Sequence, residues 1–150
     1  MISTSPRLFT TGTIRESGVA IFIGTSGVYA LVDEDEPNHV AATRFWAGIV
    51  ENDEDLITTN YVVLETSALL QRRLGMRQVR RYQTAVVPDL RVEWIERAVH
   101  DFAVAQWLAA DRRQLSLVDC VSFEVMRRLG LTSVFAFDAD FRVQGFECFP

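Results

Sequence analysis

Lysine is missing from this sequence: all fifteen basic residues are arginine. Every mechanism that needs a catalytic lysine is thereby excluded. Cysteine is nearly as scarce, since Cys120 and Cys148 are the only two and form no C-x-x-C pair. That is too few for a disulfide framework, so both are expected as free thiols. Histidine occurs twice, His39 in a polar turn and His100 in a predicted helix, and neither has an evident nucleophile for a partner. No stretch approaches the ~18 uninterrupted apolar residues of a membrane span, and the first residues lack the apolar centre of a signal peptide. A cytoplasmic protein without membrane association is expected.

What is present is a balanced globular composition. The chain has 150 residues, 49% hydrophobic and 23% charged, enough for one domain with a sizeable core. A net charge of −5 argues against coating nucleic acid through bulk electrostatics, but not against gripping it locally. Arginines gather at Arg72, Arg73, Arg77, Arg80 and Arg81. The plain reading is a solvated helix face; the sharper one is an edge that contacts phosphate or a partner.

Residues 1–18 are rich in Ser, Thr and Gly and read as a loose leader before a single domain at 19–150. The run at 19–23 is short and continuously apolar, as in a strand buried on both faces, and ends at Gly24. A helix is expected over 40–50 and a strand over 56–59. Asn60 is placed to cap the next helix, which Gly75 closes. Another helix is expected over 76–87, a strand over 92–95, helices over 97–110 and 116–129, and an apolar strand over 133–137 ending at Asp138. Alternating strands and helices predict a mainly parallel sheet covered on both faces. In such sheets the site lies beyond the carboxyl ends of the strands, where strand order reverses.

Four acids fall at strand ends or helix starts: Glu65, Asp119, Asp138 and Asp140. Each has a structural explanation. Glu65 suits the positive end of a helix, Asp119 completes a capping-box spacing with Ser116, and Asp138 and Asp140 are turn formers. Gathered at one sheet edge, however, they would repel one another unless a cation neutralised them. Oxygen donors without His or Cys select Mg²⁺ or Mn²⁺, ions that serve phosphoryl chemistry. Other acidic α/β designs fit less well: a receiver domain needs a lysine, a haloacid dehalogenase-type phosphatase needs D-x-D after the first strand, and G-T-S-G is no phosphate loop.

Four stretches together resemble the PIN-domain endoribonucleases, and within them the VapC-type toxins: IFIGTSGVYALVDEDEPNH, TTNYVVLETSALL, LSLVDCVSFEVMRRLG, and VFAFDADF followed by GFECF. The likeness runs in order over most of the chain. It implies a three-layer α/β/α sandwich, Mg²⁺- or Mn²⁺-dependent cleavage of RNA, a homodimer, and inhibition by a VapB-type antitoxin. By the same likeness Glu65, Asp119 and Asp138 match metal-site acids, with Asp140 accessory, and Thr25 and Ser26 match hydroxyl residues that support a carboxylate. Arg112 and Arg113, just before the Asp119 helix, are candidates for contact with RNA.

Gly24 stands where the family has its first aspartate. Three readings are open: an aspartate lost by design or selection so that a toxic nuclease could be produced, a natural inactive relative that only binds antitoxin or RNA, or a glycine that serves the turn while Asp140 or another acid completes the site. The first is preferred because the other acids are intact. Loss of a direct metal ligand would then leave this chain with little or no cleavage activity.

Overall fold

The structure, a computed structural model, describes residues 19–150. The expected leader lies outside the described residues. Strand β1 (Ala20–Ile23) is central, with buried Ile21, Phe22 and Ile23. Strands β2 (Asp55–Thr59) and β3 (Arg91–Glu93) extend the sheet on one side, and β4 (Ser133–Phe135) and β5 (Glu147–Phe149) on the other. All pairings are parallel, in the order β3-β2-β1-β4-β5. The registers set Phe22 beside Ile57 of β2 and Val134 of β4.

Because successive strand residues face opposite ways, β1 feeds two cores. Phe22 joins Val121, Phe123 and Met126 of helix α6 (Leu117–Leu129) and Ala103 of helix α5 (Arg97–Ala110). Ile21 and Ile23 join the opposite core, with Val28 of helix α1 (Thr25–Val32) and Ala42 and Ile49 of helix α2 (His39–Glu51). Helix α3 (Asn60–Leu74) reaches both, through Val62 and Leu70. The result is a three-layer α/β/α sandwich, as expected.

Local details depart from expectation. Thr25–Val32 forms a helix that apolar pattern alone did not signal, because the run is short and carries no capping side chain. Helix α3 is capped by Thr59, whose hydroxyl accepts from the Val62 N–H at 3.1 Å. Asn60 instead accepts from the Ile95 N–H at 2.9 Å, tying the entry of α3 to the segment after β3. The helix expected over 76–87 is α4 (Met76–Arg81) followed by a π turn at Tyr82–Val86 and a 3-10 turn that contains Pro88. Strand β4 stops at Phe135, two residues early, and helix α7 (Ala139–Val143) and β5 complete the chain. Both cysteines are unpaired. Among the described residues no helix is long and apolar enough to cross a membrane.

Strand order reverses between β1 and β4, so their carboxyl ends, at Gly24 and after Phe135, open a crevice. Gly27 lets α1 press against β4: a Cβ there would lie 2.5 Å from the Phe135 carbonyl oxygen and under 3 Å from its ring. Gly27→Ala is therefore expected to lower stability by about 1–3 kcal/mol or more through overpacking. Gly48→Ala in α2, where a Cβ meets open space, should raise it by up to about 1 kcal/mol. Urea unfolding of the two variants checks both signs.

Candidate active site

A cleft of about 390 Å³ opens at the reversal point. Four segments place acids on its wall: Glu36 from the turn before α2, Glu65 from α3, Asp119 from α6, and Asp138 from the turn after β4. Thr25, Ser26 and Tyr29 of α1 line it as well. Glu65, Asp119 and Asp138 are each held for a local reason. Glu65 follows the Thr59 cap on a helix that leaves β2 just after the buried Thr58, whose hydroxyl ties β2 to β1 by donating to the Ile23 carbonyl at 2.8 Å. Asp119 closes a capping box: Ser116 Oγ accepts from the Asp119 N–H at 3.0 Å, and Asp119 Oδ2 accepts from the Ser116 N–H at 3.1 Å. Asp138 Oδ2 accepts from the Ser26 hydroxyl at 2.7 Å, and Ser26 Oγ in turn accepts from the Phe137 N–H at 2.9 Å.

The acids feel one another. Burial pushes the Glu65 carboxyl up from its ordinary value; a hydrogen bond from Thr25 opposes the shift, and the charges of Asp119 and Asp138 add to it. Burial also raises Asp119, against its bonds to Ser116 and with the charges of Asp138 and Asp140. Thr25 is itself held by the buried Thr66 hydroxyl, which donates to it at 3.2 Å.

Asp140 does not line this cleft. Its carboxylate accepts from Arg112 at 2.9 Å, a pair whose arginine is half exposed. Arg113 is exposed beside it. Gly24 has extended backbone (φ −96°, ψ 163°), which any residue adopts. A Cβ there would sit 3.2 Å from Ala136 Cβ and 3.5 Å from the Phe135 carbonyl oxygen, so a side chain fits after a shift of a few tenths of an ångström. Neither backbone nor space demands glycine at this position.

The donor chemistry suits a hard divalent cation, but among the described residues no three His, Cys, Asp or Glu side chains form a group able to hold a metal ion. As it stands the acid set does not close. The sequence pattern does not single out Tyr29, Glu36 or Leu69 of the cleft wall, and it marks Ser116 only as a cap. Tyr29 faces the cleft because 25–32 is helical.

The PIN domain family model matches residues 21–147. The chain belongs to the PIN-domain family. This PIN domain is 35% identical over 127 residues to the 23S rRNA-specific endonuclease VapC20 of Mycobacterium tuberculosis, covering 84% of this chain and 95% of that protein. The crystal structure of VapC20, described as a Sarcin-Ricin loop cleaving toxin, superposes with a TM-score of 0.74 at 34% identity, covering 84% of this chain and 95% of that one. FitAcB from Neisseria gonorrhoeae shares the fold at a TM-score of 0.63 and 14% identity, with 87% and 96% covered.

The raised carboxyls imply a stability cost in this PIN domain. Glu65 is protonated in both folded and unfolded chains at low pH, and stability falls as pH rises from the unfolded value of 4.5 through the raised folded one. Glu65→Gln is expected to stabilise the protein at neutral pH, and that gain should vanish below the ordinary glutamate range. Urea melts of both proteins across that range measure it.

Proposed function

We propose that this chain is a VapC-type RNA endonuclease weakened at position 24. The observation that carries the reading is the convergence of Glu65, Asp119 and Asp138, from three separate segments, on one cleft at the point where strand order reverses. Composition alone would not require that meeting. The 35% identity to a 23S rRNA-specific endonuclease over most of both chains supports RNA as the substrate.

The family likeness puts an aspartate where Gly24 stands, so by that likeness the chain lacks one carboxylate donor. Completed by a carboxylate at 24, the set would suit Mg²⁺ or Mn²⁺, and such an ion supplies charge neutralisation and water activation for phosphodiester hydrolysis. This chain's own residues supply position. Thr25 donates to Glu65, Ser26 holds Asp138, and the α6 capping box holds Asp119. Asp140 is an accessory group that orients Arg112, and Arg112 and Arg113 are assigned contacts with the RNA backbone. A VapB-type antitoxin and a homodimer belong to the same proposal.

One observation favours a second reading. Without a closed acid set, the chain would act as a PIN module that binds antitoxin or RNA without cutting. Gly24→Asp separates the two. The endonuclease reading expects cleavage of 23S rRNA with Mg²⁺ or Mn²⁺ to rise more than ~100-fold over the glycine chain, beyond what loss of an outer-shell group costs. Glu65→Gln added to that variant should return it to the starting level. Continued inactivity of a folded, inhibitor-free Gly24→Asp protein would establish the binding module instead.

A further inference from the structure

Between Glu65 and Asp89 the sequence holds five arginines and not one carboxylate, in a chain of net charge −5. Arg72 and Arg73 end α3, and Arg77, Arg80 and Arg81 follow on α4. All five are exposed, and among the described residues none forms an ion pair. Helix polarity explains part of the pattern, because Arg72 and Arg73 lie in the last turn of α3, where the helix dipole favours cations. Arg77, in the first turn of α4, has no such benefit, and helix ends do not explain the lack of any acid.

The cluster also adjoins the cleft. Arg72 lies seven residues beyond Glu65 on one helix, ~10 Å along its axis. Tyr29, in the cleft wall, donates to Asp33 at 2.8 Å; that bond raises its pKa, and the charge of Arg73 works against the shift. Arg81 lines a second cavity with His39, one carboxylate, Glu34, and Leu31, which is next along α1 from the cleft-lining Ala30. A positive ridge thus runs from the cleft rim to that cavity.

We infer that Arg72, Arg73, Arg77, Arg80 and Arg81 form the track along which the RNA phosphate backbone leaves the cleft. This rests on the endonuclease reading above. Guanidinium groups pair with phosphate through two parallel bonds, and a strand placed for cleavage must extend past the acids. An acidic peptide would meet the same arginines but offers the cleft nothing to act on.

The glycine chain, binding without rapid cleavage, allows a direct measurement. Anisotropy of a labelled single-stranded RNA in EDTA is followed against salt for the parent and for Arg73→Gln/Arg77→Gln/Arg80→Gln. Each lost phosphate contact should flatten the slope of log K against log salt by ~0.7, so by about 2 for the triple variant. Affinity at low salt should drop more than tenfold. Arg97→Gln on α5, remote from the ridge and ion-paired to Asp101, should leave both unchanged. In the Gly24→Asp background the triple variant should raise KM for RNA and spare kcat. Unchanged slope and affinity in a folded triple variant, or RNA binding retained while an acidic peptide is released, overturns the track. Cleavage by Gly24→Asp with an unaltered KM sinks the track alone; a flattened slope without any cleavage sinks the endonuclease reading alone.

Discussion

The close approach of α1 to β4 is the constraint on which the cleft depends. The Gly24 N–H donates to the Phe135 carbonyl at 3.0 Å, and three residues later Gly27 offers no Cβ to the same carbonyl and ring. Phe135 is fully buried and stacks on Phe45 of α2, so β4 has no room to retreat. With α1 locked there, Ser26 reaches both the Phe137 amide and the Asp138 carboxylate. Packing of two apolar elements thus fixes the position of a charged group at the carboxyl end of the sheet.

That arrangement works against the stability of the fold. Burial and mutual repulsion raise Glu65 and Asp119, the reverse of what a protein arranged only for stability would select. The opposite sign is concentrated elsewhere, in exposed arginines of a segment whose own sequence holds no carboxylate. A chain with excess negative charge thus carries acids in its cleft and a run of exposed arginines at the end of α3 and on α4.

Much of the fold was legible from residue pattern. Continuous apolar runs at 19–23 and 133–137 marked strands buried on both faces, the second forming only as far as Phe135, and Ser116 with Asp119 marked a helix start that the capping box realises. What escaped were elements whose signal is tertiary. Helix α1 is held by Gly27 against Phe135 rather than by a cap, and the three residues of β5 pair with β4 beyond a glycine turn at Gly145. Thr59 outcompeted Asn60 as a cap because Asn60 is engaged by Ile95 across 35 residues. At the cleft, Glu65, Asp119 and Asp138 could be singled out as chemistry at element ends. The diversion of Asp140 to Arg112 could not, since that pair spans 28 residues and depends on where α6 begins.

The bonds that hold Asp119 and Asp138 have a further effect. In each side chain the Oδ2 atom is already engaged, by the Ser116 amide in one and the Ser26 hydroxyl in the other. The Oδ1 atom of each makes no such bond and is the freer oxygen for anything that enters from solvent. A guest drawn onto the Oδ2 atoms as well would compete with the start of α6 or with the α1–β4 clasp.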